Sequence, residues 1–183
     1  RTPSCLGLLL PGRAFHTKHD LCGNRSIIDY VLPGHLMGCV HVFGGIEHHG
    51  TTLIAEQPCT FLYLVVPDDG FKSCVSMRGW PQLTWNIIGI LSKRNLRLYR
   101  KVDILSKRTL REKILAYLSY EHDVHQSNSF TIPFNRQELS DYLYVDRTSL
   151  STELDKLRKE GMIDFWHSDF CLKSTFPKFT DSL

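Results

Sequence analysis

The stretch Phe134–Lys173, FNRQELSDYLYVDRTSLSTELDKLRKEGMIDFWHSDFCLK, decides the reading of this chain. Asn135 stands where a helix N-cap accepts a backbone N–H, and Glu138, three residues on, completes a capping box. Leu139, Tyr142 and Leu143 recur at helical spacing and give this first helix one apolar face. Tyr144 and Val145 break the pattern, and Asp146 offers a second cap directly before Arg147. Leu150, Leu154 and Leu157 then follow at i, i+4 and i+7, while Arg147, Thr148, Ser149, Ser151, Thr152 and Asp155 fall on the other faces. Gly161 stands where a C′ glycine ends a helix, with Arg158 and Lys159 in the last turn to suit the dipole. Two short apolar strands within Met162–Leu172 complete the order helix, tight turn, longer helix, hairpin. That order predicts a winged helix-turn-helix, a module that lays one helix in the major groove of double-stranded DNA. A helix pair merely packed against a hairpin is the competing reading, since Leu stripes are common in cores. The small hydroxyl side chains and the Arg early in the second helix favour DNA, because they suit base edges and phosphates.

Upstream, Ile88, Leu91, Leu98, Val102 and Leu105 follow a 3–4 alternation, with Asn95 in the remaining place. This is a short heptad seam, and one buried Asn in such a seam fixes register and strand number. The alternative is a surface helix packed on its own domain. Residues 93–113 hold nine Lys or Arg against Asp103 and Glu112. Residues 1–92 balance six basic against six acidic groups, so the net charge of +3 resides in residues 93–183. A modest basic excess beside the helix-turn-helix agrees with phosphate attraction.

The first 85 residues predict strands at Leu6–His16, Ser26–Leu32, Thr51–Ala55 and Thr60–Val66, punctuated by turns at Asp20–Asn24, Pro33–Gly34, Gly44–Gly45 and Gln57–Pro58. Short strands at regular spacing suggest an antiparallel barrel or jelly roll. The run Pro67–Pro81 has two prolines, two glycines and no clean period, and is expected to be a loop.

The segment KRTLREKILAYL (Lys107–Leu118), followed by TIPFNRQELSDYL and VDRTSLSTELDKLRKEGMI, resembles the C-terminal domain of the Crp/Fnr family of bacterial transcription regulators. The stretch LGLLLPGRAFHTKHDLCGNRSIIDYVLPGHLMG resembles the middle of that family's cupin-like sensor domain. The resemblance implies an α+β chain in three parts. A partial, truncated antiparallel β barrel or jelly roll occupies 1–85, a dimerisation helix 86–110, and a winged helix-turn-helix DNA-binding domain 111–175. On that alignment the chain begins inside the barrel. Asn135–Leu143 becomes the positioning helix, Arg147–Lys159 the recognition helix and Met162–Leu172 the wing. Phosphate contacts are then expected from Arg136, Arg147, Lys156 and the wing around His167 and Ser168, and base contacts from Thr148, Ser149, Ser151 and Thr152. The seam Ile88, Leu91, Asn95, Leu98, Val102 and Leu105 becomes a parallel helix pair across a twofold axis, making the chain a homodimer. RNA polymerase follows as a candidate partner. Two departures stand out: Tyr144 occupies a turn position usually held by Gly, and Thr152 one that is often Arg.

The effector is not legible. Nucleotide-binding members of the family place a Glu after the Gly of a PG-x-x-x-G turn and an Arg about ten residues later. This chain has PGHLMG followed by Cys39, then HHGTTLIAE, which argues against a cyclic nucleotide. Cys5, Cys22, Cys39, Cys59, Cys74 and Cys171 form no C-x₂-C cluster, which argues against an iron–sulfur centre, and most are expected to be buried small hydrophobes. His35, His41, His48 and His49 crowd around Cys39, but adjacent His48 and His49 face opposite ways in a strand, so no metal site is expected. Asp68, Asp69 and these histidines lack a positioned nucleophile, so no enzyme is expected. No run of 18 apolar residues suggests a membrane span, and scattered cysteines suit a reducing cytoplasm. The tail after Leu172 is expected to fray. The expectation is a cytoplasmic, dimeric, sequence-specific DNA-binding regulator. The alternative is a small-molecule or metal-binding cupin whose helical domain serves only oligomerisation.

Overall fold

The computed structural model describes residues 5–45, 50–67 and 71–177. The chain divides into two compact units, Arg1–Arg97 and Leu98–Leu183.

The first unit is antiparallel sheet backed by helix. Strands β1 (Cys5–Leu9), β2 (Ala14–His19), β3 (Arg25–Val31) and β4 (Leu36–Met37) precede a short helix α1 (Cys39–Val42) and strands β5 (Thr52–Ala55) and β6 (Phe61–Val65). They form two three-stranded sheets, ordered β4-β1-β6 and β3-β2-β5. The strand expected over Leu6–His16 is thus two strands that belong to different sheets. Pro11 has no N–H to donate to a ladder, and Gly12 takes a φ of +122° where a Cβ would lie 2.7 Å from the backbone of Cys59. The short helix α1 was not foreseen. It starts after Gly38, whose left-handed backbone passes so close to Cys5 O that a Cβ would meet it at 2.3 Å. Among the described residues β5 and β6 are edge strands, and Leu53, Leu62, Tyr63, Leu64 and Val65 on them are exposed.

Helix α2 runs Trp80–Ser106, six residues earlier at its start than the sequence suggested and four residues shorter at its end. Pro81 is no obstacle, because N–H groups of a first helical turn have no intrahelical acceptor. The expected Pro67–Pro81 loop is therefore shorter. Residues 68–70 lie outside the described ones, Lys72–Cys74 form one 3₁₀ turn, and Phe71 packs on Trp80 with ring centroids 5.0 Å apart. In the first unit, Ile87, Ile90 and Leu91 of α2 pack on Leu6, Leu36 and Cys39. A second cluster gathers Leu9, Ala14 and Val31 with Met37, Cys59 and Phe61. The expectation that most cysteines are buried fails: only Cys39 is, Cys22 is exposed and the other four are half-buried. No helix among the described residues is long and apolar enough to cross a membrane.

The second unit holds the last turns of α2, then α3 (Leu110–His125), β7 (Ser129–Thr131), α4 (Arg136–Leu143), α5 (Arg147–Lys159), β8 (Ile163–Trp166) and β9 (Asp169–Leu172). Its sheet has the order β7-β9-β8, all antiparallel. Thr109 and Glu112 form a capping box that starts α3. Its core includes Leu118, Phe134, Leu139, Leu143, Leu150, Leu154, Leu157 and Phe170, each at most 2% exposed. The tail after Leu172 is anchored as far as Phe176 rather than frayed. Lys173 N–H donates to Met162 O, Phe176 N–H to Lys173 O, and the Thr175 hydroxyl to Gly161 O at 2.6 Å.

Candidate nucleic-acid interface

Two capped helices and the turn between them build the candidate surface. Asn135 accepts from Glu138 N–H at 3.0 Å, and the Glu138 carboxylate accepts from Asn135 N–H at 2.8 Å, so α4 begins with both partners of its capping box in place. The helix ends at Tyr144, whose φ of 56° and ψ of 51° are left-handed, a conformation a side chain adopts at a cost of about 1 kcal/mol or more. Hydrogen bonds from the Tyr144 and Val145 N–H groups to Ser140 O hold the turn. Asp146 then caps α5, accepting from Ser149 N–H at 2.8 Å, and these short bonds hold its carboxyl below the usual range.

Helix α5 drives Leu150, Leu154 and Leu157 into the core, each with no exposed surface. That burial fixes which side faces out. Arg147, Thr148, Ser149 and Thr152 are exposed, and Ser151 is half-buried. The Thr152 hydroxyl donates to Thr148 O at 3.0 Å, within the helix itself. Lys156 is exposed and pairs with Glu153 at 3.1 Å. At the far end, Gly161 N–H donates to Arg158 O and Met162 N–H to Leu157 O, both at 3.0 Å, the two bonds of a Schellman motif. Gly161 supplies the required positive φ of 75°.

The wing is the hairpin β8–β9, closed by His167 and Ser168. His167 is exposed with a φ of 52°, and the Ser168 hydroxyl donates to Phe134 O at 2.9 Å. Arg136 is only half exposed. Its guanidinium donates to His167 O at 3.3 Å and lies over the Phe165 ring at 4.8 Å. Burial lowers its pKa, and Asp155 nearby opposes that shift. Arg136 and Ser168 therefore hold the wing against α4, whereas Arg147, Thr148, Ser149, Thr152, Lys156 and His167 are open to an incoming ligand.

Two contributors escaped the sequence reading. Trp166, at the wing tip, is 75% exposed and meets the His167 ring edge-on at 4.9 Å. An exposed Trp beside a hairpin turn was the available signal. Arg111 on α3 binds both Glu153 of α5 (3.3 Å) and Glu160, its C-cap, and so clamps the recognition helix to its scaffold. No local pattern announces such a pairing, because its partners lie more than 40 residues away.

The seam of α2 divides into two sets. Ile88 and Val102 are exposed at 47% and 66%, and Asn95 is exposed with them. Leu91, Leu98 and Leu105 are half-buried, and Leu91 packs within its own unit. The exposed residues along the helix include Trp85, Ile88, Asn95, Tyr99 and Val102. The core of the first unit takes Ile87, Ile90 and Leu91, and Ile88, Asn95 and Val102 of the heptad positions stay exposed.

In the first unit, Cys39, which follows the PGHLMG turn, is buried, and desolvation pushes its thiol pKa up. His35 Nδ1 accepts from Leu32 N–H at 3.1 Å, and burial foremost, then Arg97, lowers its pKa. His48, His49, Asp68 and Asp69 lie outside the described residues. Among the described residues no three His, Cys, Asp or Glu side chains gather as a metal site.

Antiparallel sheets, a long helix and a winged helix-turn-helix define the class. Residues 108–173 match the Crp-like helix-turn-helix domain. The fold of the whole chain is shared with several solved structures. One is a CRP-family transcriptional regulator from Thermus thermophilus (19% identity, 96% of this chain and 84% of that one, TM-score 0.64). Another is CLP, the c-di-GMP-responsive global regulator of Xanthomonas campestris (20%, 94% and 86%, TM-score 0.72). A third is a CooA mutant from Carboxydothermus hydrogenoformans (16%, 93% and 75%, TM-score 0.74). No curated protein sequence matches the chain. Residues 108–173 thus hold a Crp-like helix-turn-helix domain, and the chain as a whole has the fold of these regulators.

Proposed function

We propose that this chain is a DNA-binding transcription regulator of the Crp/Fnr type and binds DNA as a homodimer, with α5 in the major groove and the wing on the adjacent backbone. The observation that carries the proposal is the solvent face of α5. Arg147, Thr148, Ser149 and Thr152 stand open at the N-terminal end of a helix whose opposite face is wholly buried. Thr148, Ser149, Ser151 and Thr152 read base edges. Arg147, Lys156 and His167 meet phosphates, and Arg136 and Ser168 act by fixing the wing. The outward stripe of α2, with Trp85, Ile88, Tyr99 and Val102, supports pairing with a second copy, and Asn95 within it supports a defined register. Twofold pairing would set two recognition helices about one DNA turn apart, ~34 Å. RNA polymerase is the further partner this reading calls for, and the reducing cytoplasm, in keeping with six free cysteines, its compartment.

Fluorescence anisotropy on duplexes selected from a random pool tests the reading. A palindromic selected sequence is expected, and Arg147→Ala should weaken binding and lower the salt slope by roughly one. An unchanged affinity and slope would overturn the role of Arg147. Sedimentation of Val102→Glu should report a monomer; a variant that stays dimeric removes α2 as the interface.

A further inference from the structure

The sheet that carries the wing has two faces, and its register separates them. Phe130, Phe165 and Phe170 turn inward. Phe165 and Phe170 meet with ring centroids 5.6 Å apart, the His125 ring of α3 stacks on Phe130 at 5.7 Å, and the Arg158 guanidinium of α5 lies over Phe165 at 4.7 Å. Successive residues of a strand point to opposite faces, so their neighbours turn away from both helices. Thr131, Asp169 and Trp166 stand abreast across β7, β9 and β8, and Ser129, Cys171 and Asp164 form the next row. All of these except the half-buried Cys171 are exposed. The backbone beside Trp166 is pinned: Ile132 N–H donates to Ser168 O at 2.9 Å, and Arg136 holds His167 O. The Asp169 carboxylate accepts from the Thr131 hydroxyl at 2.6 Å.

A large aromatic ring on a pinned hairpin loses little freedom when a partner covers it, which is why Trp dominates so many interfaces. Its neighbours specify the partner's charge. Asp169 stands directly opposite Trp166, Asp164 lies two residues before it on the same face, and neither row contains a Lys or Arg. Lys173, beyond the second row, lies 4.0 Å from Asp164. Carboxylates beside the ring repel phosphates, so this face does not suit a DNA backbone. They attract a guanidinium or ammonium, which gains a cation–π contact over the indole and an ion pair at its edge. We propose that the outer face of the wing sheet docks a basic segment of a partner protein, with an Arg or Lys side chain over Trp166 and paired with Asp169. The exposed face of α5 takes no part in it, so the docking goes beyond the DNA-binding reading and does not depend on it.

Fluorescence anisotropy of a labelled tetra-arginine peptide on the full chain tests this, with a tetra-glutamate peptide as control and a duplex selected from a random pool titrated in parallel. The arginine peptide should bind saturably and the glutamate peptide should not. Trp166→Ala and Asp169→Asn should each weaken the arginine peptide about 3- to 5-fold and leave duplex affinity as in wild type. An Asn at this position can still accept from Thr131, so that variant keeps the bond within the sheet. Absence of saturable arginine-peptide binding, or binding that both variants leave unchanged, overturns the docking face. So does a loss of duplex affinity in Trp166→Ala with peptide binding intact, which makes Trp166 a DNA contact instead. A chain that binds the peptide but no duplex sinks the DNA-binding reading and leaves this one standing.

Discussion

The two units of this chain bury their apolar residues to different degrees. In the helix-turn-helix unit, Leu118, Leu143, Leu150, Leu154 and Leu157 have no exposed surface, both capping boxes are closed, and Arg111 clamps α5 to α3. In the sheet unit Leu6, Leu36 and Cys39 form one buried cluster and Leu9, Ala14 and Val31 another, while β6 carries Leu62, Tyr63, Leu64 and Val65 in the open. A recognition surface works by presenting side chains in a fixed geometry, and a close-packed interior supplies that rigidity. An edge strand with apolar side chains on view is instead a template for further pairing. The comparison teaches where precision is stored: in the helix-turn-helix unit.

Cavity-forming substitutions probe that contrast most strongly. Leu154→Ala should cost about 2–5 kcal/mol by urea denaturation, because the fully enclosed site cannot collapse around the void. In the sheet unit, Leu64→Ala, at a position 39% exposed, should stay within about 1 kcal/mol. Equal losses in the two units would break the comparison.

The helical core contains one costly member, and pH should expose it. Burial raises the Glu121 carboxyl from its ordinary 4.5 to about 7, against a smaller opposing effect of the neighbouring Tyr117 hydroxyl. One Glu121 oxygen has no partner, and His125 lies 3.6 Å from the other. A carboxyl whose folded pKa is raised binds its proton more tightly when folded. Its contribution is therefore fully present below pH 4.5 and is lost as pH rises through about 7. Glu121→Gln should remove that slope and gain up to about 3 kcal/mol at pH 8 relative to wild type. A wild-type stability that holds level from pH 5 to pH 8, measured by thermal unfolding, would count against the buried ionised carboxylate.

Smaller effects sharpen the picture at the helix ends. Asn135→Ala leaves α4 without its cap and should cost about 1 kcal/mol, with a matching loss of DNA affinity if the positioning helix frays. Tyr144→Gly relieves a left-handed backbone but gives up the ring that lies 5.4 Å from Lys101 Nζ, so the net change should stay below about 1 kcal/mol in either direction.

Much of the helix-turn-helix unit was legible because its signals are local. Asn135 with Glu138, Asp146 before Arg147, the Leu150–Leu154–Leu157 stripe and Gly161 each act within one or two helical turns, and each stands where its spacing placed it. The sheet unit was read less well because strand limits depend on partners distant in sequence. Pro11 and Gly12 split an apolar run that local pattern joined, and Cys59, 47 residues away, is what leaves Gly12 no room for a side chain. A 3–4 alternation marks two adjacent faces of a helix, and only the packing of Leu91 on the sheet decides which face turns outward.

Taken alone, then, the order of residues determined the helices and their ends in the DNA-binding half, since caps, periodic leucines and a C′ glycine act over a few residues. Tertiary structure alone decided that Arg136 and Ser168 brace the wing, that Arg111 reaches two carboxylates on α5, and that Arg94 and Arg97 converge on Asp29. Those pairings join segments that no short-range rule connects; they exist only because the packing of each unit brings polar groups distant in sequence within reach of one another.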